Sequence, residues 1–219
     1  MKKILLPVIA ASALLITACG EVTVTDLTED ITPTDVVVEP VVATYTVDAA
    51  ASTLEWNGYD AAAPDNHYHK GTVGIADGSI TTTDAMITAG SVNIDMTALG
   101  YTEGGGKDGA ITSADSAVFN GLLGHIATAE IFNTMEIGTA SFTVTSCDET
   151  GITGTLNVMG SDVEVMVPGT PAMDDDAMTL TTDWFEVNIA SAVPFFTVPE
   201  GDEPAGMRLS MKLNLTANK

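Results

Sequence analysis

Near its C-terminal end the chain reads Met207-Arg208-Leu209-Ser210-Met211-Lys212-Leu213-Asn214-Leu215, apolar at every odd position and polar at every even one. Only an extended backbone sends residues two apart to the same side, so this run specifies a strand with one buried and one wet face. Val92-Asn93-Ile94-Asp95-Met96 repeats the pattern, and Ala140-Ser141-Phe142-Thr143-Val144 and Val163-Glu164-Val165-Met166-Val167 follow it less cleanly. Asp77-Gly78, Glu149-Thr150-Gly151 and Gly160-Ser161-Asp162 lie between such runs and read as turns. Many short strands separated by turns predict an antiparallel barrel or sandwich. A transmembrane barrel also alternates, with its apolar residues facing outward. The polar end Thr216-Ala217-Asn218-Lys219 and the N-terminal signal described next favour a soluble domain. Residues 113–124 break the alternation. Ser113 is a cap-type residue, apolar side chains fall at 118, 119, 122 and 123, and Gly124 suits a C-terminus, which predicts one short helix.

The start of the chain fixes an address. Met1-Lys2-Lys3 precedes an apolar run over residues 4–16 that is too short to span a bilayer, and Ile16-Thr17-Ala18-Cys19 follows. This resembles the lipobox of bacterial lipoprotein signal peptides. Residues 1–18 are then a signal peptide removed before Cys19, and the Cys19 thiol carries the lipid that holds the protein on a membrane. Gly20, rather than Asp, follows Cys19. Under the best-known sorting rule this points to the outer membrane of a bacterial envelope. Residues 19–42 are rich in acid, Thr, Pro and Val and contain no aromatic residue, so they read as a tether. As a flexible coil it would span about 25 Å. Residues 43–219 form the folded domain in this reading.

The formal net charge is −23, and the signal peptide takes Lys2 and Lys3 away with it. So acidic a surface repels nucleic acid and anionic lipid headgroups, which excludes both as partners of the globular surface. Of the two cysteines, a lipidated Cys19 leaves Cys147 without an intrachain disulfide partner. Asp148-Glu149 follows it and should raise its pKa, as in a structural thiol.

Beyond these elements, an ordered set of segments resembles the YceI-like family of bacterial lipid- and polyisoprenoid-binding proteins. Tyr45-Thr46-Val47-Asp48 followed by Ser52-Thr53-Leu54-Glu55-Trp56-Asn57-Gly58 is similar to its opening, and His69-Lys70-Gly71-Thr72-Val73 to its next strand. Gly90-Ser91-Val92-Asn93-Ile94-Asp95-Met96 matches a Gly-x-hydrophobic-x-hydrophobic-Asp-Met segment. Leu123-Gly124-His125-Ile126, Ile131-Phe132-Asn133, Thr139-Ala140-Ser141-Phe142 and Gly154-Thr155-Leu156-Asn157-Val158-Met159-Gly160 follow in order. The resemblance covers roughly residues 43–216. It implies an all-β, lipocalin-like antiparallel barrel of about eight strands with an internal apolar tunnel for an isoprenoid, quinone or other long-chain lipid. It implies a non-catalytic carrier without a resident cofactor, and it admits a homodimer. Ten methionines suit an adaptable wall.

On this reading Trp56, Met96, Phe119, Leu122, Phe142, Leu156, Val158, Phe185, Leu209, Met211 and Leu213 line the tunnel, with His69 and His125 as polar contacts near a headgroup. Met178 and Met207 also sit on or beside apolar faces. The chain departs from the family where Thr181-Thr182-Asp183-Trp184-Phe185 replaces an Asp-Arg pair ahead of an aromatic residue, and where Gly138 replaces a common proline. With Arg208 the sole arginine, a neutral quinone or lipid is expected in preference to a pyrophosphate.

Other chemistry finds less support. His67, His69 and His125 are the only histidines, and a metal or redox-accessory site built from them is the alternative reading. A surface interaction module with a filled barrel is a further one. Gly104-Gly105-Gly106-Lys107-Asp108-Gly109 lacks the first glycine and the Ser/Thr of a P-loop and reads as a flexible loop. Asp174-Asp175-Asp176 lacks an EF-hand pattern and reads as a solvated loop. No Gly-x-Ser-x-Gly elbow occurs.

Overall fold

The computed structural model describes residues 39–106, 109–111, 116–174, 176–196 and 206–219. The signal peptide 1–18, Cys19 and the tether as far as residue 38 lie outside the described residues. Residues Glu39–Lys219 make one compact unit. Strand β1 (Val42–Val47) is followed by β2 (Thr53–Asp60), β3 (Tyr68–Thr83), β4 (Met86–Gly106), β5 (Gly109–Ile111) and helix α1 (Ser116–Ile126). Then come β6 (Thr139–Cys147), β7 (Gly151–Val158), β8 (Ser161–Pro168), β9 (Ala172–Met173), β10 (Ala177–Thr181), β11 (Phe185–Glu186) and β12 (Met207–Asn218).

All twelve strands join one antiparallel sheet that wraps into a barrel, with the path β8-β7-β6-β4-β3-β1-β12-β10-β9. β2 continues the position of β1 between β3 and β12, while β11 continues that of β10 beside β12. The short β5 flanks β4 and β9 flanks β10. Eight positions therefore surround the barrel, and the higher strand number comes from interruptions and short flanking pieces. The break between β1 and β2 is built by side chains. Asp48 Oδ1 accepts the backbone N–H groups of Ala50 and Ala51, and Ser52 Oγ donates to Asp48 O at 2.7 Å while accepting the Thr216 N–H. The chain thus steps aside and resumes beside the same partner strand.

β12 is central. It pairs with β1 and β2 on one side and with β10 and β11 on the other. Its odd residues Leu209 and Leu215 are buried inward, as the alternation requires. Two even residues are not wet: Arg208 and Ser210 are buried. Arg208 Nη1 donates to Glu186 Oε1 at 2.9 Å, and Asn57 lies across from Ser210 on β2, so this stretch of outer face is covered by its own polar neighbours.

The β3–β4 pair carries four register shifts. Each adds a local bend and twist, which is how so long a hairpin can curl around a barrel. Asp77-Gly78 lies inside β3 at one of these shifts and is not a turn. A Cβ on Gly78 would meet Val47 Cγ2 at 2.8 Å, so the glycine provides close approach and not reversal. The actual reversal is Asp84-Ala85, both with positive φ. The turn after Cys147 falls where the sequence placed it, while the next reversal is Met159-Gly160, with Ser161 and Asp162 already in β8. Gly104–Gly106 are the end of β4 and not a loop, and at Gly104 and Gly105 a side chain would meet Tyr68, His69 and Tyr101. Residues 107–108 lie outside the described residues. The Asp174 carboxylate accepts the Asp176 and Ala177 N–H groups in a turn, and Asp175 lies outside the described residues. α1 runs on to Ile126, so Gly124 sits in its last turn and does not end it. Residues 113–115 of the predicted helix lie outside the described residues.

Gly71, in β3, faces Trp56 across the β2–β3 ladder. A Cβ there would collide with Gly100 O and would lie 2.6 Å from the Trp56 ring. Gly71→Ala should destabilise the fold by about 1–3 kcal/mol through overpacking. A lowered urea midpoint at unchanged slope would show it, and an unchanged midpoint would contradict this packing.

Candidate ligand site

Closing an alternating sheet on itself brings every apolar face to one interior. Here that interior is not filled. A cavity of about 480 Å³ runs through it, walled by β2, β3, β4, β6, β7, β8, β10, β11, β12 and α1. Among the described residues the wall contains four polar side chains, those of His67, His69, Ser91 and His125. The filled-barrel alternative is therefore set aside by the geometry.

Trp56, Met96, Leu122, Phe142, Leu156, Val158, Phe185, Leu209, Met211 and Leu213 stand on this wall, as do His69 and His125. Phe119 does not. It lies one helical turn before Leu122 and packs edge-on against Tyr101, ring centroids 4.0 Å apart. Met207 lines the cavity, whereas Met178 is 1% exposed in a separate cluster with Tyr45, Leu180 and Ala217. The sequence reading passed over Ile80, Ile87, Ile152 and Leu180 on the strands. It also passed over Val187, Ile189, Phe195 and Phe196, from a segment with little regular strand. The alternation Val187-Asn188-Ile189 and the Phe195-Phe196 pair were the available signals.

Backbone and aromatic contacts fix the wall. The Trp56 indole N–H donates to Thr72 O at 3.2 Å, holding the ring across β3. Phe195 and Phe196 pack edge-on at 5.5 Å, and Phe132 joins Phe196 at 6.0 Å. From α1, Leu122, His125 and Ile126 share one face by their spacing and close this part of the wall.

A second, more polar pocket of about 720 Å³ is lined by Asp60, Ala63, Asn66, His67, His69, Gly105 and Gly106. It shares His67 and His69 with the apolar cavity, so the two imidazoles form the boundary between the two spaces. Their rings stand edge to face with centroids 5.8 Å apart. His67 Nδ1 lies 3.6 Å from Asp60 Oδ2. His69 Nδ1 lies 3.1 Å from the Tyr101 hydroxyl. Burial, and then the neighbouring His67, hold the His69 pKa below the usual imidazole value. Burial, then Tyr68 and Glu103, push the Tyr101 phenol up. The His69 ring and the Tyr101 phenol are thus both favoured in their neutral forms, and the tautomer of His69 sets which of the two donates.

His125 has other neighbours, Glu130 Oε2 at 3.4 Å and the Phe195 ring. Among the described residues no group of three or more His, Cys, Asp or Glu side chains is placed to hold a metal ion. The three histidines are a pair plus one. Cys147 has its pKa raised by burial first and by Asp148 second, the direction expected for a structural thiol.

The YceI-like domain profile matches residues 45–214. Among solved structures, the fold is similar to the crystal structure of Burkholderia cenocepacia BcnA, with a TM-score of 0.52 and 17% identity. That alignment covers 78% of this chain and 98% of that one, and at such identity the likeness is one of fold. No curated protein matches the chain.

The His69 environment gives a pH dependence. The folded state holds the ring neutral, so its stability contribution is complete above the unfolded imidazole value of about 6.5 and is lost as pH falls toward the lower folded value. NMR titration should place His69 below 6.5, and His67→Gln should move it part of the way back. A His69 that titrates above the ordinary value would contradict the burial argument.

Proposed function

The chain belongs to the YceI-like family, and from that premise we propose that it is a binding protein that carries or sequesters a long apolar molecule inside its barrel. The observation that carries this reading is the open, almost wholly apolar cavity of about 480 Å³ at the barrel centre. A guest in such a space gains from area and not from charge, about 0.8 kcal/mol for each methylene removed from water. An isoprenoid or quinone tail, or another lipid chain, fits that rule. The methionines at 96, 207 and 211 support it further, since flexible thioethers can repack around chains of varied shape. The reading is non-catalytic: the wall's few polar groups serve the guest's position.

The residues 16–19 support a second part of the proposal. Lipidated Cys19 anchors the protein on the outer membrane of a bacterial envelope, and the acidic segment behind it lets the barrel stand off the surface. A carrier so placed meets its guest where lipids must cross water. Cys19→Ser should abolish labelling by radioactive palmitate and release the protein into the soluble envelope fraction. Retention of the label would place the acyl chain elsewhere.

Mass spectrometry of an organic extract tests the guest. Protein expressed in bacteria and purified without detergent should carry a near-stoichiometric quinone, prenol or other long-chain lipid. Phe142→Asp should abolish uptake by placing a charge in the cavity. Phe142 packs against both core clusters, so Val165→Trp, which fills space without charge, gives a second test in a folded protein. A wild-type protein that emerges empty and takes up neither added quinone nor added prenol would overturn the carrier reading.

A further inference from the structure

Resting on the carrier reading, we infer that α1 is the gate of the cavity. The helix unwinds from its N-terminal end to let the guest pass, and Gly121 and Gly124 set how often it does so. The first ground is how the helix is held. Every strand of the barrel is tied to a neighbour by a backbone ladder. Among the described residues no hydrogen bond joins α1 to a strand. Its ties are side-chain contacts: the Phe119 ring on Tyr101, the His125 ring edge-on to Phe195 at 6.1 Å, and Leu122 and Ile126 in the apolar cluster. Lifting α1 therefore breaks no ladder, whereas lifting any strand does.

The second ground is what lies beneath it. Leu122, His125 and Ile126 face the cavity of about 480 Å³. A helix of 11 residues owes its stability to the packing of its inner face and little to itself. Here part of that face stands over open space, and the guest completes its packing. The inner face of α1 is thus least supported when the barrel is empty.

The third ground is the glycines. A Cβ on Gly121 or on Gly124 would meet nothing within 4 Å, and neither residue has a positive φ. Unlike Gly71 and Gly78, they serve no close approach, and they make no reversal. What remains is their effect on the helix, which each disfavours about fivefold relative to alanine. The other end of α1 is pinned. Phe132 N–H donates to Ile126 O and Thr134 N–H to Ala127 O, with Ile131 and Thr134 buried. Opening therefore begins at the N-terminal end, where Phe119 on Tyr101 is the latch. In a chain of net charge −23, residues 116–126 carry no carboxylate, lysine or arginine, so an apolar guest passing this helix desolvates no fixed charge on it.

The test follows the purified full-length protein by stopped flow, reading the quenching of tryptophan fluorescence as decylubiquinone enters beside Trp56, and its recovery as empty liposomes take the quinone back. Gly121→Ala with Gly124→Ala should slow loading and release together, about twentyfold, and leave the equilibrium affinity within about twofold. Phe119→Ala, outside the cavity wall, should speed both about three- to tenfold. Hydrogen exchange of the empty protein reads the same opening without a guest: the α1 amides should exchange well ahead of those of β12 and slow about twentyfold in the double-alanine variant. Slowed exchange with unchanged loading and release would overturn the gate while quinone binding kept the carrier reading standing. A wild-type protein that binds neither decylubiquinone nor farnesol would overturn both.

Discussion

A sheet with one apolar face must bury that face, and in this molecule the sheet has little but itself to bury it against. Helix α1, the segment after it that carries Ile131 and Phe132, and the irregular stretch after β11 reach the interior. The rest of the wall is almost wholly strand facing strand across the axis. This makes β12 decisive: it is flanked on both sides, by β1 and β2 and by β10 and β11, and its odd residues define which way is inward. A slip of one residue in its pairing would turn Leu209, Met211, Leu213 and Leu215 outward together. The cavity then follows from curvature. Four register shifts bend β3 and β4 around the axis, and side chains from a wall so curved do not meet at the centre.

The alternation of residues 207–215 was legible because every position obeys it, and because β12 pairs without irregularity against β2. The β3–β4 hairpin was not legible. Its bulges break period two, so Asp77-Gly78 looked like a turn, while the true turn Asp84-Ala85 contains neither Gly nor Pro. The three glycines at 104–106 looked like a loop for a related reason. Composition records that glycine tolerates reversal, but it does not record that a neighbouring ring can demand its absence of side chain. Most wall positions were reachable through strand parity and family resemblance. Helical spacing groups Phe119 with Leu122 but does not show that its ring packs on Tyr101 and leaves the wall to Leu122. Val187–Phe196 was missed because it contributes to the wall without the regular pairing that makes a strand visible in sequence.

Charge is kept to the outside with few exceptions. The acidic surface, the paired lysines and the buried Arg208–Glu186 contact all lie off the cavity wall. Inside, polarity is confined to imidazoles and one serine, and the most buried of those imidazoles is held neutral by its surroundings. The interior is thus a medium of low polarity with a mildly polar rim, enclosed in a shell that is strongly negative.

The hydrogen-bonded path has two ends, β8 and β9, and among the described residues no ladder joins β8 to β9 or β10. Closure there rests on side chains: Ile152 of β7 shares one cluster with Leu180 and Met178 of β10, and Val163 and Val165 of β8 share another with Val187 and Ile189. A ring of strands bonded all the way round has a fixed circumference, because widening it means breaking a whole row of directional bonds. Apolar contacts have no such row. They can slide and reform at small cost, so a barrel with one greasy seam can change its girth there, admitting a thicker guest while the remaining ladders stay intact.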